Sequence, residues 1–261
     1  MNADQLRQYL EFYQDLGIKD LYRRAGGAGR DAEGGTQEVS RIVPEDAARS
    51  PVATTQDASP ESLFPESQPP GGETLLQILT DIGDCTRCRL HEGRTKLVFG
   101  VGNERSPLVF VGEGPGADED AQGIPFVGRA GQLLTQMIEN TAKKEGIGLR
   151  RDDVYICNVV KCRPPGNRTP EPDEMETCGQ FLFRQLMAIR PKAICALGGT
   201  AAKALTGHKE GVTKMRGRWF QWRAVPVMIT YHPSYLLRPY NQDAKREAWE
   251  DLKKVLHFVY D

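Results

Sequence analysis

Four of the six cysteines stand at spacings that suit a metal centre. Cys85 and Cys88 form a Cys-x-x-Cys pair, and Cys162 and Cys178 follow with fifteen residues between them. We expect all four in loops or near the ends of elements, where distant side chains can converge. Four thiolates suit a tetrahedral zinc ion or an iron–sulfur cluster, and the spacing does not choose between them. A redox pair or two ordinary thiols are the other interpretations of the Cys-x-x-Cys pair.

A turn rich in glycine is the second chemical feature. The apolar residues 108–111 predict a strand, and Gly112, Gly114 and Gly116 follow it in the sequence Gly-Glu-Gly-Pro-Gly. Glycines let a backbone approach a ligand closely. Their spacing matches neither the dinucleotide-binding fingerprint nor the P-loop, and the acidic run at 118–120 disfavours a polyphosphate ligand. A tight turn from strand to helix, with no ligand, is the plain alternative.

Three side chains beyond this turn suit recognition of a flat polar ligand. Phe126 lies in a loop between Pro125 and Gly128, where its ring could stack on a base or join the core. Asn158 interrupts an apolar strand, and a buried amide must find partners, either in the backbone or on the polar edge of a ligand. His232 follows another predicted strand and is either a packed or a catalytic histidine.

The elements that must position these residues alternate between strands and helices. Apolar runs predict four strands, at residues 108–111, 154–160, 193–197 and 225–230. Apolar residues at helical spacing predict helices around them, and residues 210–223 predict a hairpin that turns at Gly217. We therefore predict an α/β fold with a largely parallel sheet and helices on both faces. The C-terminal ends of such strands meet at one edge, so Gly112, Asn158 and His232 should share a crevice.

Composition divides the chain into three parts. Residues 1–24 predict a short amphipathic helix that either docks weakly or binds a partner whose nature the sequence does not indicate. Residues 25–72 are poor in large apolar side chains and predict a disordered linker. Residues 73–261 form the predicted folded domain. The chain has 34 Lys and Arg against 35 Asp and Glu, and residues 1–70 hold 7 and 12 of these, so the remainder has 27 against 23. That small positive excess is compatible with nucleic acid.

The polar N-terminus lacks a secretory signal, and no apolar run is long enough to span a membrane. We expect a soluble, cytoplasmic monomer without a membrane partner. In that compartment cysteines are thiols or metal ligands rather than disulfides. Cys157 and Cys195 lie inside apolar strands, so we expect them to be small core residues.

Several features of the chain occur in an order similar to that of the family 4 uracil-DNA glycosylases. They are the turn 112–116, Glu119-Asp120, the loop 125–128, the four cysteines and His232-Pro-Ser. The resemblance covers roughly residues 75–258. It implies a single three-layer α/β/α domain with a four-stranded, largely parallel sheet. It also implies a 4Fe–4S iron–sulfur cluster on Cys85, Cys88, Cys162 and Cys178.

The activity implied by this resemblance is base excision repair of DNA. Such an enzyme flips uracil out of single- or double-stranded DNA and hydrolyses its N-glycosidic bond, leaving an abasic site. The residues implied to bind uracil are Gly112, Glu113, Gly114, Phe126, Asn158 and His232. Among them Phe126 stacks on the base, Asn158 reads the polar edge of uracil, and His232 faces uracil O2.

Catalysis and DNA binding are implied for further positions. His232 stabilises the negative charge on the departing uracil, and Glu113 and Glu119 are rival candidates for stabilising the sugar cation. Asn167 is the candidate for placing the attacking water. Leu236 resembles the wedge that fills the gap left by the extruded base. The arginines expected near the DNA backbone are Arg163, Arg168 and Arg238.

Two rival functions remain open. One is a non-catalytic iron–sulfur DNA-binding module, which needs the cysteines and basic loops but neither Phe126 nor His232. The other is a related glycosylase that acts on hypoxanthine or xanthine. A suicide-type relative that traps DNA through a histidine nucleophile is disfavoured, because residues 163–172 contain no histidine.

Overall fold

The computed structural model of the chain describes residues 72–238 and 241–261. The predicted N-terminal helix and all but the last residue of the predicted linker lie outside these residues. The described residues all belong to one unit of the chain, which contains every candidate site residue.

A mixed sheet of six strands forms the centre of the fold, in the order β1-β3-β2-β4-β6-β5. The strands are β1 (Val101–Gly102), β2 (Leu108–Gly112), β3 (Tyr155–Asn158), β4 (Ala193–Leu197), β5 (Trp219–Trp222) and β6 (Val225–Thr230). The central strands β3, β2, β4 and β6 run parallel, whereas β1 and β5 are antiparallel edge strands. The predicted α/β class is confirmed, and the predicted strands form the parallel centre. The sheet has two strands more than the predicted four, because β1 was missed and β5 was expected only as part of a separate hairpin over residues 210–223.

Helices cover both faces of this sheet. They are α1 (Leu75–Ile82), α2 (Ala117–Gln122), α3 (Arg129–Lys144), α4 (Pro172–Ile189), α5 (Gly199–Thr206), α6 (Val212–Met215), α7 (Pro233–Leu236) and α8 (Gln242–Tyr260). On one face α1, α4 and α5 share a core with Val109, Cys157 and Ile194. On the other face α8 packs against β4 and β6, and α3 packs against α8. The central strands are apolar along their length because both faces are covered.

Within residues 72–238 and 241–261, none of the helices combines the length and the hydropathy that crossing a membrane requires.

Residues 210–223 do not form the predicted hairpin. Helix α6 occupies the first part, and β5 pairs with the following strand β6 instead. The turn between them places Arg223 at a φ of 53°, a conformation that usually favours glycine. Gly217, with a φ of 71°, leads from α6 into β5. The turn was therefore assigned to the wrong residue.

Polar contacts hold the N-terminal end of helix α1, and they set the position of the first cysteine of the predicted metal site. Thr74 and Gln77 form a capping box in which each side chain accepts from the backbone N–H of the other, an arrangement that satisfies two unpaired donors. Arg184 of α4 donates through Nε to Glu73 at 2.9 Å. These contacts dock α1 on α4 and place Cys85 just after the helix.

The C-terminal ends of the parallel strands lie at one edge of the sheet. Gly112 of β2 pairs with Asn158 of β3, and Leu197 of β4 pairs with Thr230 of β6. The segments that follow these strands therefore emerge side by side, as expected for a binding edge in a parallel sheet.

Candidate active site

A cavity of about 330 Å³ opens at this edge of the sheet, within the size range of small-ligand sites. The predicted site residues among those that line it are Glu113, Gly114, Glu119, Phe126, Asn158, Asn167, Arg168 and His232. Segments that are far apart in the sequence thus contribute to one cavity.

Asn158 ends β3 with its side chain buried and its oxygen unpaired. The residue is 1% exposed, and Oδ1 has no hydrogen-bond partner among the described residues. Leaving such an acceptor unsatisfied costs about 1–3 kcal/mol. An unpaired amide oxygen in the wall of a cavity is a group that a ligand donor could satisfy.

Gly112 lies against both Asn158 and Phe126. A Cβ at this position would fall inside the contact distance of Asn158 Oδ1 and of Phe126 Cζ. The position therefore needs a residue without a side chain, and the close packing holds the amide and the ring at the bottom of the cavity.

Phe126 adopts a backbone conformation that is rare for a large residue. Its φ is 54°, in the left-handed region where bulky side chains are strained. Its backbone fits because Gly131 of α3 has no Cβ, which would clash with the Phe126 carbonyl. The ring is buried, and its centroid lies 5.6 Å from that of His232 at an interplanar angle of 35°.

The Glu119 carboxylate holds the loop on both sides of Phe126. Its Oε1 accepts from the backbone N–H groups of Val127 and Gly128, both at 2.9 Å, and Oε2 accepts from that of Gly116 at 3.0 Å. These bonds join the glycine turn to the Phe126 loop. Glu119 therefore has a positioning function in the structure, whatever part its charge plays in catalysis.

Glu113 and Gly114 form the wall of the cavity after β2. The Glu113 carboxylate accepts a hydrogen bond from the hydroxyl of Thr200, near the start of α5. A Cβ at Gly114 would lie 2.7 Å from Cγ2 of Val160, so a small residue fits there best.

His232 is held in one orientation by the residue two positions later. The backbone N–H of Ser234 donates to His232 Nδ1 at 3.2 Å, and the Ser234 hydroxyl lies 2.7 Å from the same nitrogen. Because a backbone N–H can only donate, Nδ1 is the acceptor, and the ring proton of the neutral tautomer is on Nε2. Burial of the ring lowers the pKa of His232 to about 4, against a smaller opposing effect from Glu119. The ring is therefore neutral at pH 7.

The loop after β3 brings Asn167 and Arg168 to the cavity, and Arg163 of the same loop bonds to Asn167. Asn167 has a φ of 56°, and its Oδ1 accepts from Arg163 Nε at 2.7 Å. Arg168 instead forms a two-pronged ion pair with Glu174, at 2.6 and 2.8 Å. Hydrogen bonding from Arg168 and then Arg89 outweighs burial and lowers the pKa of Glu174 to about 2. The Arg168 guanidinium is thus paired with a carboxylate, whereas that of Arg163 bonds to the neutral amide of Asn167.

The position of Leu236 does not fit the predicted DNA wedge. The residue ends the single-turn helix α7 and is 1% exposed, because its side chain joins the core beneath the site. A side chain that enters a base stack must first be accessible. Arg238 is exposed, with its guanidinium 5.7 Å from the ring centroid of Tyr235.

The four predicted metal ligands line a second, much smaller cavity. Cys85, Cys88, Cys162 and Cys178 all contribute to its wall, whereas Cys157 and Cys195 are core residues of β3 and β4, as predicted. Within the residues that the structure describes, no group of three or more His, Cys, Asp or Glu is arranged to hold a metal ion.

Hydrogen-bond donors surround these sulfurs. The contacts are Arg87 Nη1 to Cys85 at 3.6 Å, Arg94 Nη1 to Cys162 at 3.4 Å, and the backbone N–H of Lys161 to Cys178 at 3.2 Å. Burial raises the pKa of Cys178 to about 12. The N–H donors and the Arg94 guanidinium oppose this effect, but burial is the larger one and also raises the pKa values of Cys88 and Cys162.

Comparison with known proteins shows the family to which the chain belongs. A sequence model described as "Uracil DNA glycosylase superfamily" matches residues 99–253. The chain belongs to that superfamily.

Within it, three similar proteins are named "Type-4 uracil-DNA glycosylase". The protein from Thermotoga maritima is 48% identical over 190 residues, which cover 72% of this chain and 96% of the relative. Those from Archaeoglobus fulgidus and Sulfurisphaera tokodaii are 45% and 42% identical over 191 residues, or 70% of this chain and 92% and 84% of each relative. The predicted resemblance to family 4, and the enzyme class that it implies, are confirmed.

Several residues of the site were not singled out from the sequence. Ser234 orients His232, Thr200 binds Glu113, and Gly131 accommodates the Phe126 backbone. A signal existed for Gly131, because a glycine inside a predicted helix costs stability and needs a reason. The sequence carries no comparable signal for Thr200, since its contact depends on how β4 and β2 are placed.

The first prediction concerns Gly112→Ala. The added methyl must displace Asn158 or Phe126, and overpacking of this kind costs about 1–3 kcal/mol. The substrate in the superfamily's name is uracil-containing DNA. We expect the KM for this DNA to rise about tenfold or more, which is the effect of losing one hydrogen bond. Steady-state kinetics with Gly148→Ala as control checks this, since a Cβ at Gly148 meets nothing within 4 Å. An unchanged KM would show that the crowding is relieved without effect on the site.

The second prediction concerns the ionisation of two histidines. Burial lowers the pKa of His232 to about 4, so its ring should stay neutral from pH 8 down to about 5. The Glu145 and Asp261 carboxylates raise the pKa of His257 above its usual 6.5, so His257 should gain its proton at higher pH than a free histidine does. A two-dimensional NMR titration of the ring C–H signals, assigned with His232→Ala, compares both in one sample. A midpoint near 6.5 for His232 would contradict the assignment of a neutral ring.

Proposed function

We propose that this chain removes uracil from DNA by hydrolysing the N-glycosidic bond, leaves an abasic site, and acts only as a glycosylase. The observation that carries the proposal is the buried Asn158 amide with an unpaired Oδ1, in a cavity whose other walls include Phe126 and His232. A side chain of this kind suits a ligand with adjacent donor and acceptor groups, and the edge of uracil has both.

Recognition of the base rests on stacking and on the amide. Uracil enters the cavity against the Phe126 ring, and base–aromatic stacking is worth about 1–3 kcal/mol. Asn158 Oδ1 accepts the uracil N3–H, while its NH₂ group donates to a neighbouring carbonyl. Gly112 and Gly114 leave room for the base, since a Cβ at Gly112 would enter the space between Asn158 and Phe126.

Bond cleavage places negative charge on uracil, and His232 is the donor for it. Its Nε2 lies on the side of the ring away from the Nδ1 bond to Ser234, and in this neutral tautomer Nε2 carries the proton that is donated. Donors fixed before the reaction are worth more than donors that must reorient, and removing one typically costs a factor of about 10²–10³ in rate.

The sugar becomes positively charged in the same step. Glu113 and Glu119 both line the cavity and are the candidates for stabilising that charge. Glu113 is the more suitable, because the oxygens of Glu119 already accept three backbone hydrogen bonds. Asn167 at the rim is the candidate for placing the attacking water.

DNA approaches the rim of this cavity. Base flipping costs a few kcal/mol and is easiest from mispaired or single-stranded DNA. We assign Arg163 and Arg238 to phosphate contacts, because Arg163 is half-buried at the rim and Arg238 is exposed. Arg168 supports the loop through Glu174 instead, and Leu236 takes no part because it is buried.

We also infer that Cys85, Cys88, Cys162 and Cys178 hold a 4Fe–4S cluster. The support is that the four thiols share one cavity and receive N–H donors from Arg87, Arg94 and Lys161. When bound, the cluster supplies cross-links between loops, and hydrolysis requires no electron transfer from it. Residues 73–261 form the catalytic domain in this proposal, and the protein acts as a cytoplasmic monomer.

Excision of uracil tests the proposed activity. Purified protein is incubated with labelled single- and double-stranded oligonucleotides that contain one uracil, hypoxanthine or xanthine, and alkali then cuts abasic sites. We expect cleavage at uracil, and a rate for His232→Ala lower by a factor of about 10² or more. Arg238→Ala is the matched variant, because losing a phosphate contact should raise KM and leave kcat unchanged. Absence of cleavage by the wild type, or full activity of His232→Ala, would refute the proposal.

Measuring the iron and acid-labile sulfide content tests the proposed cluster. We expect about four of each per chain in anaerobically purified protein, together with a brown colour. Cys85→Ala should lose iron and stability or DNA affinity before it loses the bond-breaking step, whereas Cys195→Ala, at a core cysteine of β4, should keep its iron. A colourless Cys85→Ala protein with undiminished stability and turnover would contradict a structural cluster.

A further inference from the structure

Lys161 is a buried lysine that the proposed mechanism does not use. It stands between Val160 and Cys162, just beyond β3, and is 0% exposed. Lysines are almost never fully buried unless they are paired. Its burial therefore calls for a specific role.

The amine of Lys161 reaches back to the residue that reads the base. Nζ donates to the main-chain carbonyl of Asn158 at 2.8 Å and to Gln185 Oε1 at 2.6 Å. Gln185 is itself fixed, because its Nε2 donates to the Phe99 carbonyl at 3.0 Å and to the Tyr155 hydroxyl at 3.1 Å. The amine is thus held between helix α4 and the end of β3.

The backbone of the same residue reaches the cysteine cavity. The Lys161 N–H donates to Cys178 Sγ at 3.2 Å, and the Lys161 carbonyl accepts from Val98 N–H at 2.8 Å. One residue therefore contacts a cysteine sulfur through its backbone and the Asn158 carbonyl through its side chain.

Asn158 needs such support because its own amide is not fully held by the protein. With Oδ1 unpaired, the direction of the side chain depends on its packing and on the position of its backbone. The last carbonyl of β3 belongs to Asn158 itself, and Lys161 Nζ donates to it at 2.8 Å.

We propose that Lys161 is a positioning residue that links the four-cysteine centre to the base-reading amide of Asn158. This inference rests on the proposed function and deepens it. A change at the cysteine centre reaches the base pocket from Cys178 through the backbone of Lys161 and then through its amine to Asn158.

Lys161→Met tests this role, because methionine keeps a long flexible stem and removes the donors. We expect the KM for uracil-containing DNA and the inhibition constant of free uracil to rise about tenfold, the order expected for losing a buried hydrogen bond. The value of kcat should change less, since His232 is untouched. Iron per chain should stay at the wild-type level because all four cysteines remain.

Lys192→Met is the matched control. Lys192 Nζ also donates to a main-chain carbonyl, that of Val259 at 3.1 Å, but it has no contact with the site. Its free-uracil inhibition constant should equal that of the wild type.

Three outcomes overturn the inference while leaving the proposed function intact. They are an unchanged inhibition constant in Lys161→Met, a fall in kcat alone, and a loss of uracil binding that only follows loss of iron. If Lys161→Met does not fold, Gln185→Leu decides, because it frees the Lys161 amine from α4. A raised inhibition constant at full iron content then supports the inference, and an unchanged constant overturns it. Failure of the wild type to excise uracil would instead refute the proposed function.

Discussion

The pairing of Gly112 with Asn158 in the parallel ladder between β2 and β3 is the constraint on which the site depends. It sets a residue without a side chain opposite a buried amide, at the end of the sheet where loops begin. The amide oxygen is left without a protein partner, a cost that a folded chain carries only where something else uses the atom. The ring of Phe126 and the imidazole of His232 are arranged around this pair.

The surrounding protein holds the site by polar contacts rather than by packing alone. Glu119 joins the glycine turn to the Phe126 loop through three backbone amides, and Ser234 fixes the tautomer of His232. The left-handed conformation of Phe126 is a strained state that needs such contacts. The cavity is therefore formed before a ligand arrives, so little of the binding energy is spent on reorganisation.

The parallel centre of the fold was predictable because buried strands are apolar throughout, as at Ala193–Leu197. The edge strand Trp219–Trp222 was expected in a hairpin over residues 210–223, but its pairing with Val225–Thr230 was missed because the turn between them uses Arg223 where a glycine is expected. The site residues that lie at strand ends, such as Asn158, followed from topology. The burial of Leu236 could not be read from the motif, because a motif does not show which way a side chain points. Lys161 was overlooked because a lysine in a sequence usually indicates a surface.

Glu174 shows how the cysteine segments can be gathered by the protein itself. Its carboxylate has no exposed surface and binds Arg89, one residue after Cys88, and Arg168, six residues after Cys162. It stands on the same helix as Cys178, one turn away. The Glu174 carboxylate thus holds together the three segments of chain that carry the thiols. It does so through ion pairs, which do not depend on iron. The three segments would therefore stay together in protein without iron, unlike zinc-finger peptides, which fold only when the ion binds.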